Sequence, residues 1–126
     1  MKVGRNMTYQ EIKNMLLMVD DEAVRLEMLI DFGKYLQAPP PDAECVEILG
    51  CSSFVQICNK NGIFYGVADS MLVRGIVFVM LAMVDGKNTA QIKEMDMAAE
   101  FKSLKLNLGA GRLNGVNSMI RFFKNL

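Results

Sequence analysis

The sequence of 126 residues contains no histidine. Cys-His and Ser-His catalysis, most zinc enzymes and imidazole proton shuttles are excluded together. Net charge is absent as well: 14 Lys and Arg balance 14 Asp and Glu. No overall field is left to hold a polyanion, so nucleic acid is not an expected partner. Cysteine is scarce. The three present, Cys45, Cys51 and Cys58, are odd in number and do not make a disulfide framework. Residues 1–7 are polar, with no apolar stretch leading to a small-residue cleavage site, so no secretory signal is expected and reducing cytoplasm is the expected compartment. Proline and glycine are not excessive, which argues against disorder and low complexity. The longest apolar run, Met71 to Val84, has 14 residues with Arg74 and Gly75 inside it. It is too short to cross a bilayer and fits a buried core helix.

What is present describes one domain over residues 1–126, with no internal repeat. Half the residues are apolar (52%), enough for a single core. Thr8-Tyr9-Gln10-Glu11 matches a capping box, and Ile12, Met15, Leu16 and Val19 follow at helical spacing. Asp20-Asp21 offers caps for a second amphipathic helix. Ala23, Leu26, Leu29, Ile30, Gly33 and Leu36 form its apolar side, Arg25, Glu27 and Asp31 its polar side, and it ends near Leu36 before Pro39-Pro40-Pro41. The two are expected to pack as a helical hairpin.

The pattern then turns to strands. Val46 and Ile48, Phe54 to Cys58, and Ile63 to Ala68 predict a three-stranded antiparallel meander, with Asn61-Gly62 as a turn needing positive φ at both central residues. Such a sheet requires helices over one face, giving an α+β fold. Asp69-Ser70 is expected to cap the buried helix. Thr89 and Asp96 are expected to cap two short helices, and Gly109-Ala110-Gly111 is expected to be a loop before a last amphipathic helix.

One stretch carries chemistry. Cys51 follows Gly50, is trailed by Ser52 and Ser53, and stands between two β-type runs, which places a thiol at a loop tip with small neighbours. Cys45 and Cys58 lie within strand-like segments, where cysteine is usually a small packing residue. Three cysteines at five and six intervening residues also admit a metal or nascent iron-sulfur scaffold using Cys45, Cys51 and Cys58, though no C-x-x-C pair is present. A third possibility is a redox sensor through a Cys45-Cys51 disulfide. Asp69 reads as a cap. Arg74 either reaches the surface or answers an acid such as Asp69, and Arg112 is placed either beside the thiol, favouring its thiolate, or on the surface. Gly109-x-Gly111 has no preceding strand and gives no nucleotide site.

Several motifs resemble the SufE family of sulfur acceptors. Gly50-Cys51-Ser52-Ser53-Phe54-Val55 is similar to G-C-x-S-x-V-W, and Asp69 to Gly75 to D-[SA]-x-[IL]-[IV]-[KR]-G. Arg112-Leu113-Asn114-Gly115 is similar to R-x-[NQ]-G, and Leu29 to Leu36 to L-I-x-x-G-[KR]-x-L. Gln56 departs from the usual tryptophan and Met71 from the usual small residue. The resemblance implies a fold like that of the iron-sulfur scaffold proteins and a cytoplasmic accessory role without turnover of its own. Cys51 would accept sulfur from a PLP-dependent, SufS-like cysteine desulfurase, stimulate it, and pass the sulfur to a downstream iron-sulfur scaffold. Gly50, Ser53, Asp69 and Arg112 would support Cys51. The implied protein needs no cofactor or metal of its own, no nucleic acid and no membrane. Thiol exchange on a persulfide asks of the acceptor only a thiolate with a clear approach.

Overall fold

A computed structural model describes residues 7–126, so the expectation about a secretory signal falls largely on residues 1–6, outside the described residues. Helix α1, Tyr9–Leu17, starts as its capping box demands: the Glu11 backbone N–H donates to Thr8 Oγ1, and the Thr8 N–H donates back to the Glu11 carboxylate, each at 3.1 Å. Helix α2, Glu22–Gly33, begins where Asp21 Oδ1 accepts the N–H groups of Ala23 and Val24. It ends at Gly33, three residues earlier than expected, and isolated turns carry the chain through Leu36.

The two helices do not form the expected hairpin. Both lie against α3, Met71–Val84, whose apolar circumference accepts more than one neighbour. Helices α2 and α3 cross at two glycines. A Cβ on Gly33 would come within 2.6 Å of the Gly75 nitrogen, and one on Gly75 would overlap the Leu29 carbonyl oxygen. Only backbone fits in that contact. Phe32 and Phe78 extend it, with ring centroids 6.2 Å apart.

Arg25 is also placed differently from its polar-face assignment. It is buried, with Nε donating to the Leu16 carbonyl at 3.1 Å and a terminal nitrogen donating to the Lys105 carbonyl at 3.2 Å. A guanidinium offers five donors, and here two of them tie the end of α1 and the Lys105 carbonyl to α2.

The sheet is the expected meander, β1 (Glu44–Glu47), β2 (Val55–Lys60) and β3 (Ile63–Ala68), in the order β1-β2-β3 and antiparallel throughout. Asn61 and Gly62 make the β2-β3 turn with φ of 53° and 83°. Helix α3 packs on β3, and Gly66 leaves room for it: a Cβ there would lie 2.5 Å from Val77. The short helices α4 (Thr89–Glu94) and α5 (Met97–Ser103) then lead to α6, Ala110–Lys124, whose Phe123 meets Phe64 of β3 edge-on at 5.2 Å.

Three helix starts differ in detail from expectation, the first within the expected Asp69-Ser70 pair. Ser70, not Asp69, caps α3, through a bond from the Val73 N–H; Asn88, not Thr89, caps α4 with a capping box to Gln91; and α6 begins at Ala110, leaving only Gly109 in the loop, with φ of 79°. Asp69 is exposed and uses its backbone N–H on the Phe54 carbonyl. Arg74 answers no acid. It is exposed, and its Nε donates to the Ala68 carbonyl at 2.8 Å, binding the first turn of α3 to the end of β3.

Candidate functional site

The loop carrying Cys51 grows from the β1-β2 ladder. The ladder runs one step past β1, where the Ile48 N–H donates to the Val55 carbonyl at 2.8 Å, and the Phe54 carbonyl takes the Asp69 N–H at 3.3 Å. These bonds close the neck and leave Leu49 to Ser53 as the tip. Gly50 has φ of 90°, where a side chain would be strained, and a Cβ on it would stand 2.7 Å from Ser118 Oγ of α6. Glycine is required there for both reasons.

Cys51 does not project freely. Its thiol turns inward against α6 and lines a cavity of about 10 Å³ together with Ser53, Val73, Ile76, Arg112 and Met119. Two glycines of α6, Gly111 and Gly115, complete the wall. The cysteine is half-buried, and burial pushes its thiol pKa up. Arg112, for which the sequence left both a place beside the thiol and the surface open, is exposed yet lines the same cavity; its terminal nitrogen is engaged by the Leu108 carbonyl at 3.3 Å, and burial alone sets the direction of the thiol's shift. Gly50 and Ser53 are in place around Cys51. Asp69 reaches the loop only through its backbone. The Ser53 hydroxyl is enclosed and has no hydrogen-bond partner.

Sequence reasoning does not single out Gly115, Met119, Val73 or Ile76 as site residues. Periodicity assigns the last three to the core, and only the Arg112 to Gly115 motif carries a trace of the first. A second cavity of about 120 Å³, between Leu36, Phe64, Phe78 and Leu81, shares no residue with the thiol site.

Cys45 and Cys58 correct the sequence reading most sharply. They are direct cross-strand partners with Cα atoms 4.0 Å apart, and their sulfurs are joined in a disulfide. The Ile48-Val55 bond sets the alternation of the ladder. Three residues back along the strand, Cys45-Cys58 falls at a non-hydrogen-bonded pair, the close-approach position in an antiparallel sheet. The pairing is with neither the loop cysteine nor a metal. Sulfurs bonded to each other are not thiolate ligands, which removes two of the three proposed ligands from the scaffold alternative; the Cys45-Cys51 sensor pair is likewise displaced. Among the described residues, no three Cys, Asp or Glu side chains converge as a metal shell, and no helix is long and apolar enough to cross a membrane.

Comparison with known proteins agrees with this geometry. The chain is 30% identical over 125 residues to the sulfur acceptor protein CsdE of Escherichia coli (strain K12), covering 92% of this chain and 85% of that protein. An uncharacterized SufE-like protein of Rhizobium meliloti (strain 1021) is 31% identical over 119 residues, covering 85% of each. A solution structure of a hypothetical protein from Thermus thermophilus has the same fold, with a TM-score of 0.64, 14% identity and 94% of both chains covered. Residues 10–126 match the SufE family as a whole, described as an Fe-S metabolism associated domain. With the family's match spanning helices, sheet and thiol loop alike, this chain belongs to the SufE family.

Proposed function

We propose that this chain is a cytoplasmic sulfur acceptor that takes persulfide sulfur from a PLP-dependent, SufS-like cysteine desulfurase onto Cys51, stimulates that enzyme, and hands the sulfur to a downstream iron-sulfur scaffold. The carrying observation is that Cys51 is the one cysteine not bonded to another, held at the tip of a loop. Its thiolate attacks the outer sulfur of the donor persulfide. The donor S–S bond breaks, its cysteine leaves as a thiolate, and a new S–S bond forms on Cys51 with no net oxidation or reduction.

A thiol whose ionisation is opposed by burial is a poor nucleophile at rest. Docking then has a chemical task, to turn Cys51 out into a site that favours its thiolate. Leu49 at 76% exposure, Met71 at 58% and Leu113 at 42% stand on the three segments that frame Cys51, and they supply an apolar contact for that docking. Gly50, Ser53 and Arg112 support the loop, and Asp69 holds its neck through Phe54. The chain acts as an accessory carrier within one domain and calls on no cofactor, nucleic acid or membrane of its own.

The test is peptide mass spectrometry after incubation with desulfurase, PLP and cysteine. Sulfur adducts are expected on Cys51 and absent from Cys51→Ser, with desulfurase turnover raised by the wild-type protein alone. Adducts confined to Cys45 or Cys58 would refute the assignment.

A further inference from the structure

The cavity beside Cys51 has one feature that the resting thiol does not explain. Ser53 Oγ is enclosed and donates to nothing. A buried hydroxyl without a partner is disfavoured and rare, so a structure that keeps one calls for an occupant. The space is about 10 Å³, at the lower limit for a water molecule. A water also needs two to four polar partners, whereas beyond Ser52, Ser53 and an Arg112 engaged by the Leu108 carbonyl this wall is Val73, Ile76, Met119, two glycines and Cys51 itself. A sulfur atom is larger than a water and enters only as the Cys51 side chain shifts to make room, but its chemistry suits the wall better. It is soft and polarizable, packs against aliphatic groups and methionine, and accepts a hydrogen bond without demanding several.

We propose that Ser53 is a binding residue for the transferred sulfur: with Cys51 carrying a persulfide and folded back against α6, the Ser53 hydroxyl donates to the outer sulfur. This rests on the sulfur-acceptor reading of Cys51 and adds to it how the cargo is retained between donor and recipient. No bond forms or breaks at Ser53. The outer sulfur, once ionised, carries the negative charge, and a hydroxyl aimed at it makes a charge-assisted bond. The same contact keeps the sulfur from small nucleophiles in solution.

Cys51 is loaded with sodium tetrasulfide, a donor that needs no partner protein, and the loss of sulfur from the Cys51 peptide to cyanide is followed by mass spectrometry. Ser53→Ala should lose its sulfur about three- to tenfold faster than wild type, with Ser53→Thr near the wild-type rate. Loss from Ser53→Ala at the wild-type rate overturns the proposal, as does equal acceleration in both variants. Before loading, Ser53→Ala should melt at or above the wild-type temperature, because the hydroxyl it removes has no partner. A clear fall would show that the hydroxyl is already satisfied and would equally overturn the proposal. Failure of wild-type Cys51 to take up sulfur, from tetrasulfide or from the desulfurase, is the separate result that removes the sulfur-acceptor reading itself.

Discussion

A Cβ built on Gly115 would stand 3.1 Å from the sulfur of Cys51, so the thiol rests on bare helix backbone. The contact joins the loop between β1 and β2 to α6, more than sixty positions later in the chain. It makes the resting position of the sulfur a property of the assembled fold.

Gly115→Ala should loosen that seat. The added methyl is tighter on the sulfur than nine in ten real contacts, and the sulfur, at the free end of a side chain, can give way. Iodoacetamide should alkylate Cys51 about three- to tenfold faster in the variant at fixed pH, with global stability changed by less than about 1 kcal/mol because alanine is the better helix former. An unchanged alkylation rate would show that α6 does not restrain the thiol.

Burial raises the Cys51 pKa, and the sign of its effect on stability follows. The folded protein holds this proton more tightly than the unfolded chain. Its contribution is whole below the ordinary thiol pKa of about 8.5 and is lost as pH rises through the elevated folded value. The denaturation midpoint of wild type should therefore fall relative to that of Cys51→Ser as pH rises above about 8.5. Parallel curves would mean that the thiol is not desolvated in solution.

The Cys45-Cys58 bridge closes a segment with a sequence separation of 13, which the chain-entropy account values at about 3 kcal/mol. Chemical denaturation should show a loss of this order in the double variant Cys45→Ser, Cys58→Ser, and in wild type under dithiothreitol. Replacing both cysteines avoids leaving an unpaired thiol at the buried Cys58 position. Sulfur uptake by Cys51 should persist in the double variant. Indifference of the wild-type midpoint to reductant would argue that the two sulfurs are not bonded in solution.

At the crossing of α2 and α3, Gly75→Ala places a methyl on the Leu29 carbonyl oxygen, and backbone cannot step aside as a side chain can. The expected cost is at least about 3 kcal/mol. Gly111→Ala is the contrasting case. No atom lies within 4 Å of the added methyl, and the residue is helical, so a gain of about 0.5 to 1 kcal/mol is expected. Comparable losses at both positions would undo the assignment of the helix crossing.

Local signals are legible where their physics is local. The Thr8-Glu11 box, the bounds of α3 and the Asn61-Gly62 turn all depend on residues within a few positions of one another, and all are observed. Asp69 and Thr89 do not cap as expected because adjacent residues, Ser70 and Asn88, are equally able to cap, and backbone geometry chooses between such neighbours. Arg25 reads with the polar residues because charge usually marks the solvent side. Its two carbonyl partners, Leu16 at the end of α1 and Lys105 after α5, lie on other elements and are met only in the fold.

By itself the sequence determined that this protein has a cysteine at a glycine-marked bend between strand-forming segments, an apolar helix to build a core around, and no imidazole to drive chemistry. Those facts lie in residue types and short spacings. Tertiary structure alone decided that Cys51 turns back onto Gly115 and gains a higher pKa, that Ser53 has an unanswered hydroxyl, and that Cys45 and Cys58 face each other. The reason is geometric: a thiol's environment and a disulfide's partner are set by strand register and helix docking, which bring together atoms that sequence distance does not relate.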